Sequence, residues 1–495
     1  MASRPPLVWH RGHVGVAARR SSVVPGLLAV AMAAALLPAA RTLVISRDEA
    51  ATLHSAHLSA GGLLDQARVQ DVALAPYYLL VHGWLAVGTG LPWARTLSLL
   101  GYAAAVFFSG RLATRWMSPA AGVAAGLLTG LHPLLVQQAT SARPYALTAG
   151  LTAAAAYALT LALERDQGRH RRLYGACAAT ACVLQPFAGL ATLGMLGAAL
   201  LWWPHWSAGG RRRLLLAGLP TALLMVVLLG LAIPQRAQLS YLTPLGGRRA
   251  AELGLAPLGA EPGPAVHTLL LVAVVALTAL VAVAGSRDGI WRARVAITGA
   301  WLVLPAVLLL LISIVSPVYW DRYVTASAPA FSALAVCLVG SLRQSGGRRA
   351  ATALVLALAG ALAVLRAQQS WDELTHAPSE GYAQAGPVCG RLAQGAAVLA
   401  LPNHMAATAL LQYLPAPVPR LWPQVRQPYL ERFALAEDSR LLAAAPPRIV
   451  VCDFDGPYDR AALAGFERRV QGAGFAVRGS TRVGEVVVRT FERAP

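Results

Sequence analysis

Long apolar runs separated by short arginine-bearing segments make up the first three quarters of this chain. The stretch Val23 to Leu43 is nearly all Ala, Leu, Val and Pro, and about 20 such residues suffice to cross the hydrocarbon of a bilayer. Runs of the same character follow at 94–110, 119–137, 144–163, 173–184, 188–203, 214–233, 265–284, 295–315, 323–341 and 350–365, which predicts about eleven membrane-spanning helices. The run 173–203 breaks near Gln185-Pro186, and each half is short for an upright helix. The segment Ala75 to Gly90 is apolar enough to span, but it carries Tyr77, Tyr78, His82 and Trp84. Tyrosine and tryptophan concentrate where hydrocarbon meets water, so its aromatic residues read as an interfacial belt.

Arginine placement decides what 75–90 is. Counted as a crossing, it puts Arg165, Arg169, Arg171, Arg172 and Arg211 to Arg213 outside. Laid along the interface, it gathers them inside with Arg4, Arg11, Arg19, Arg20, Arg111, Arg115, Arg287, Arg292, Arg294, Arg343, Arg348 and Arg349. Basic loops stay on the cytoplasmic side. The pattern therefore predicts an interfacial helix at 75–90, a cytoplasmic N-terminal segment 1–22 and an extracytoplasmic C-terminus. The spanning domain is 23–365, with its first external loop at 44–93.

Beyond residue 366 the character changes. Ala396 to Leu401 and Arg448 to Cys452 read as short buried strands, and Asp459 to Ala473 as an amphipathic helix with Asp459 at its N-cap. Gly474 to Glu492 alternates like a strand pair turning at Gly484. The expectation is a small external α/β domain over 366–495.

Composition agrees. The chain is 56% hydrophobic and 13% charged, against about 25% charged in soluble domains. All 42 basic residues are arginine, which, with the abundance of Ala, Leu and Gly, reads as the codon bias of a high-GC bacterium; the expected location is the plasma (inner) membrane. Any bound phosphate must then be held by arginine, backbone N–H groups or a metal. The net charge of +20 follows the positive-inside pattern and does not indicate nucleic acid. Val23 to Leu43 exceeds the length of a cleavable signal core. Cys177, Cys182 and Cys337 fall in apolar runs; Cys389 and Cys452 lie in the tail and could pair in an oxidising compartment.

Candidate chemistry collects on one face. Asp48 and Glu49 follow the first span, Asp71 precedes the interfacial segment, Arg143 and Tyr145 follow the third span, and Arg322 and Tyr323 follow the ninth. Carboxylates near hydrocarbon are costly and tend to be functional. One of them can act as general base on a hydroxyl, and arginines can grip a phosphate and stabilise it as it leaves. The alternatives are a solvated loop start for the acids and interfacial anchoring for the arginines. His54 and His57 could share a helix face as metal ligands or line a surface helix. No nucleotide-binding loop, zinc-protease motif or nucleophile elbow is present.

At these residues the chain resembles the GT-C membrane glycosyltransferases, in particular the glycosyltransferase family 39-like group related to protein O-mannosyltransferases and the aminoarabinose lipid A transferase. The landmarks, in order, are Asp48-Glu49-Ala50, Asp71 followed by Tyr77-Tyr78-Leu79-Leu80-Val81-His82-Gly83-Trp84, Ala94-Arg95-Thr96-Leu97-Ser98, Ala142-Arg143-Pro144-Tyr145 and Asp321-Arg322-Tyr323. The resemblance implies transfer of a sugar from a polyprenyl-phosphate carrier to a protein, lipid or glycan acceptor on the external face, usually with inversion. It implies Asp48 as catalytic base with Glu49 beside it, and Arg143 and Arg322 facing the donor phosphate. Asp71, Tyr78, His82, Tyr145 and Tyr323 are its further substrate-side residues. Glu49 and Asp71 would shape the site or, with Asp48, hold a divalent cation. Ser141 stands where many relatives carry Glu, and Gln185 where they often carry His, so metal dependence is left open. A lipid-linked sugar flippase and a non-catalytic member of the fold are the competing readings. The absence of an evident internal repeat and the gathering of charge at one surface favour the enzyme.

Overall fold

The computed structural model describes residues 14–239, 242, 245–258, 289–343, 381–395, 397–401, 404–415, 447–454 and 459–494. The expected spans at 265–284 and 350–365 lie outside the described residues. Five described helices are long and apolar enough to cross a membrane: Val23–Thr42, Gly90–Trp116, Tyr145–Arg165, Gly210–Arg236 and Gly289–Val315. Pro119–Gly130 and Pro133–Ala139 are together apolar and long enough for a further span, but bend by 66° at the break between them, as a broken span or a re-entrant loop does. The protein is thus an α-helical polytopic membrane protein with a small C-terminal α/β unit.

In chain order the elements are α1 (Val14–Thr42), α2 (Arg47–Ala56), α3 (Ala60–Val69), α4 (Ala75–Leu85), α5 (Gly90–Trp116), α6 (Pro119–Gly130), α7 (Pro133–Ala139), α8 (Tyr145–Arg165), α9 (Gly168–Leu184), α10 (Ala188–Trp202) and α11 (Gly210–Ala232). A 3₁₀ segment, Ile233–Leu239, leads towards α12 (Gly247–Leu255), and another, Asp321–Ser327, joins α13 (Gly289–Val315) to α14 (Ala328–Arg343). The break expected at Gln185-Pro186 falls between α9 and α10, where the Gln185 side chain accepts from Ala188 N at 2.7 Å.

Lipid contact shows in what is left uncovered. Along α11, Leu215, Leu216, Leu219, Leu223, Val226 and Val227 are exposed, as an apolar face in hydrocarbon can be and one in water cannot. Inside the bundle, α5 and α8 cross at near-backbone contact: a Cβ on Gly101 would stand 2.2 Å from Leu147 Cα, and one on Gly150 2.4 Å from the Gly101 carbonyl. Small residues give membrane helices this approach, and here it brings the start of α8 against the middle of α5.

Charges separate to the two ends of the bundle. Arg95 sits near the start of α5 and Arg115 near its end, about 30 Å apart at 1.5 Å rise per residue. At the Arg115 end, Arg115 and Arg294 pair with Glu164, and Arg171 and Arg213 pair with Asp166. The other end carries α2, α3 and α4. With 11 residues, α4 is only about 16 Å long, too short to cross. Tyr77 and Tyr78 are not belt residues: they are 0% and 1% exposed. Trp84 instead stacks on Trp93 at 5.1 Å, and each indole N–H donates to the other's carbonyl.

The C-terminal unit comprises α15 (Tyr382–Leu392), β1 (Ala397–Ala400), α16 (His404–Leu411), β2 (Arg448–Phe454), α17 (Asp459–Gly472), β3 (Phe475–Val483) and β4 (Val486–Arg493). Its sheet has the order β1-β2-β4-β3, with β1 parallel to β2 and the other pairs antiparallel. The β3–β4 turn passes through Gly484 at φ +61°, a conformation glycine adopts without penalty. α17 covers one face through Leu463, Phe466 and Val470. The other face shares a core with the membrane-end loop: Leu399, Val450, Cys452, Val486 and Val488 belong to one cluster with Ile45, Leu53, Tyr77 and Val81. Cys389 and Cys452 are disulfide-bonded. The expected cap by Asp459 falls on a side chain outside the description.

Candidate active site

The site begins with a helix start. Ser46-x-x-Glu49 is a capping box: Glu49 N donates to Ser46 Oγ at 3.3 Å and Ser46 N donates to Glu49 Oε2 at 3.0 Å. Such a box fixes where a helix starts, and Asp48 is in its first turn. Asp48 is half-buried and takes an ion pair from Arg322, which arrives from the 3₁₀ segment before α14. Arg143, between α7 and α8, donates through Nη1 to the Asp48 carbonyl at 3.2 Å and to Thr52 Oγ1 at 3.1 Å. Two distant stretches therefore converge on Asp48.

Electrostatics follow from this geometry. Burial alone would raise the Asp48 carboxyl; Arg322, Arg143 and Arg47 reverse that and hold it below its ordinary value of 3.8. Burial opposes charge on Arg143 and Arg322 too, but Asp48 beside them keeps both protonated. Arg322 Cζ lies 4.9 Å from the Trp320 ring centre, and Arg249 Cζ lies over the same ring at 5.5 Å. Tyr323 lies 6.2 Å from Tyr145 and 5.3 Å from Phe187, ring centre to ring centre, and Arg143 lies over Tyr145 at 5.8 Å. Tyr145 and Tyr323 thus form an aromatic wall beside the arginines.

Asp71 occupies a second position near this centre. Its backbone is left-handed, at φ +54°, and its carboxylate accepts from Tyr78 OH at 3.1 Å and Gln70 Nε2 at 3.3 Å. Gln235 and Gln238, from the segment after α11, bind the backbone of the same turn. Burial raises the Asp71 carboxyl, and Arg143 only partly offsets it. Two carboxyls acting on a common arginine are therefore driven in opposite directions.

Glu49 does not share the space of Asp48. Arg95 grips both its oxygens, Nε to Oε1 at 2.7 Å and Nη2 to Oε2 at 2.8 Å, with both side chains 2% exposed. Arg95 also donates to the carbonyls of Ala40, Leu43 and Val44, which the end of α1 leaves open. Glu49 Oε1 accepts from Ala142 N at 2.7 Å. The pair thus ties α1, α2, α5 and the 141–143 link together, one residue away from both Asp48 and Arg143. His82 lies away from the cluster as well: it is exposed and bonds the Ala56 carbonyl through Nδ1 at 2.8 Å.

The donor set does not fit a divalent cation. Of the three acids expected to hold one, Asp48 and Glu49 are each engaged by a guanidinium, and Asp71 accepts from Tyr78 and Gln70. Among the described residues, no group of three or more His, Cys, Asp or Glu is placed to hold a metal ion; His57 Nδ1 lies 2.6 Å from the Leu53 carbonyl. Sequence reasoning assigned no role to Arg95 or Trp320. An arginine inside an apolar run was the available signal.

No protein-family profile matches the sequence, and no curated protein matches it. The fold does have solved counterparts. ArnT from Cupriavidus metallidurans in the apo state aligns with a TM-score of 0.54 at 15% identity, covering 96% of this chain and 98% of that one. The same protein bound to undecaprenyl phosphate aligns with a TM-score of 0.51 at 15% identity, covering 94% and 97%. At that identity the likeness concerns architecture: over nearly the whole of both chains this protein shares that structure's fold, the GT-C fold.

Proposed function

We propose that this protein transfers a sugar from a polyprenyl-phosphate-linked donor to an acceptor hydroxyl, at the membrane face where the C-terminal unit stands. The observation that carries the reading is the Asp48–Arg322 ion pair, with Arg143 bound to the same helix turn from the α7–α8 link. It combines a base and two phosphate-binding cations in a GT-C fold, and the solved counterpart binds undecaprenyl phosphate. That face is external by the distribution of arginines, and the Cys389–Cys452 disulfide supports an oxidising compartment there.

The chemistry is a displacement at the anomeric carbon. Arg143 and Arg322 hold the donor phosphate, whose oxygens compete with Asp48 for Arg322. Released from that pair, Asp48 takes the proton of the acceptor hydroxyl as the new carbon–oxygen bond forms on the face opposite the phosphate. The carbon–oxygen bond to phosphate breaks, the electron pair leaves with the polyprenyl phosphate, and the arginines stabilise its added charge. The product has inverted configuration. Tyr323, backed by the buried Tyr145, supplies a face against which the sugar packs, and Glu49 acts as a positioning residue. The acceptor is a protein, lipid or glycan hydroxyl.

The test is sugar transfer from a labelled polyprenyl-phosphate sugar by the purified protein in lipid nanodiscs. The wild type should transfer label and Asp48→Asn should not; unchanged transfer by Asp48→Asn would remove Asp48 from its role.

A further inference from the structure

The link 43–46 joins α1 to the helix that carries Asp48, and its backbone is held from two directions. From the bundle, Arg95 takes the carbonyls of Leu43 and Val44. From the C-terminal unit, Tyr413 OH accepts from Ile45 N at 3.1 Å. Ile45 is 1% exposed, so this N–H has no water to turn to, and a buried donor left alone is costly. Ile45 immediately precedes Ser46, the N-cap of the catalytic helix.

The position of Tyr413 is itself tightly determined. Gly386 and Gly390 lie one turn apart on α15. A Cβ on Gly386 would fall 2.6 Å from Tyr413 Cβ, and one on Gly390 2.3 Å from Pro415 Cδ. The chain at 413–415 therefore lies directly on this glycine face. Cys389, between the two glycines, is bonded to Cys452 on β2. Leu410 and Ala409, both 0% exposed, anchor the end of α16 in the shared core.

We propose that Tyr413 is a positioning residue for Asp48: the C-terminal unit sets the start of the catalytic helix through the Tyr413–Ile45 hydrogen bond, and the Cys389–Cys452 bond holds the glycine face behind Tyr413 in place. This rests on the transferase reading, and it adds a role for the C-terminal unit in turnover. A chain of contacts runs from β2 through the disulfide, α15 and Tyr413 to Ile45, and then by the capping box to Asp48.

The experiment uses the full chain in nanodiscs and two variants, Tyr413→Phe and the Cys389→Ala/Cys452→Ala pair, alone and combined. Hydrogen–deuterium exchange over residues 43–49 reads the tether without any activity, and kcat and KM for the labelled donor read its use. Tyr413→Phe should speed exchange over 43–49 and lower kcat, each about fivefold, the effect of one lost hydrogen bond. KM for the donor should stay within about twofold, because uniform binding is not touched. Adding the cysteine changes should cost less than the product of the separate losses, since both act through one contact. Unaltered exchange in Tyr413→Phe overturns the proposal whatever the activity. Faster exchange with unchanged kcat, or fully multiplicative losses, overturns the positioning role. Failure of the transferase reading itself shows in the wild type alone, as absence of transfer.

Discussion

Arg322 donates to the carboxylate of Asp48 across 274 positions of sequence, so the base of the proposed reaction is neutralised in the resting protein by the group proposed to bind the donor phosphate. An ion pair of this kind would order the proposed reaction: acceptor hydroxyls would meet a disengaged base only after a phosphate had drawn Arg322 away.

Asp48→Asn is expected to lower kcat by about 10²–10⁴, the range for a lost general base. Affinity for undecaprenyl phosphate should stay equal or rise, because Arg322 loses its competitor. Parallel turnover and lipid-phosphate binding measurements check this; weakened phosphate binding in the variant would contradict the competition.

Arg322→Lys is not conservative here. A lysine cannot offer the planar fork or stack on Trp320, and kcat should fall by about 10²-fold, as for loss of a charge-stabilising donor. With its strongest partner weakened, the Asp48 carboxyl should rise, because burial then meets less opposition. The acid limb of kcat/KM should move to higher pH in this variant, and a fixed limb would separate Arg322 from the base.

Glu49→Leu should destabilise the protein by about 3–5 kcal/mol, since it leaves Arg95 buried and unpaired. The double variant Glu49→Leu/Arg95→Leu should recover part of that loss by removing the stranded charge. Thermal unfolding in detergent of the two single variants and the double variant decides the matter; strictly additive losses would show that the two residues do not act as a pair.

Asp48 and Asp71 should contribute to the pH dependence of stability with opposite signs. The lowered carboxyl of Asp48 adds stability that is present above pH 3.8 and lost as pH falls through its folded value. The raised carboxyl of Asp71 subtracts stability as pH rises from 3.8 through its folded value. Asp71→Asn keeps the left-handed turn, which asparagine tolerates, and an acceptor for Tyr78. It should therefore match the wild type in acid and exceed it at neutral pH, whereas Asp48→Asn should fall below the wild type at neutral pH. Unfolding midpoints across the acid-to-neutral range test both.

Much of this arrangement was legible in the chain. Val23–Thr42 and Tyr145–Arg165 follow from hydropathy, and strands β3 and β4 with the turn at Gly484 follow from alternation. The helix 75–85 followed from arginine bookkeeping, because counting it as a crossing would scatter the basic loops. Tyr77 and Tyr78 were misread as a belt because aromatic residues near an interface look alike whether they face lipid or another helix. Glu49 stood next to Asp48 in sequence and was grouped with it. Neighbouring helix positions point about 100° apart, and here one side chain faces the arginines of the site while the other enters the bundle towards Arg95.

The sequence by itself determined what is local: apolar length sets the spans, the basic segments sort the loops, and Ser46-x-x-Glu49 starts the helix that carries Asp48. Those properties depend on residues a few positions apart. Only the tertiary structure decided which charges meet, because Asp48, Arg143 and Arg322 come together through the crossing of α5 and α8 at Gly101 and Gly150 and the return of the chain before α14. It also placed Tyr413 on Ile45, 368 positions away. Pairings over such separations are set by packing between helices and between the bundle and the C-terminal unit, which no period in the chain encodes.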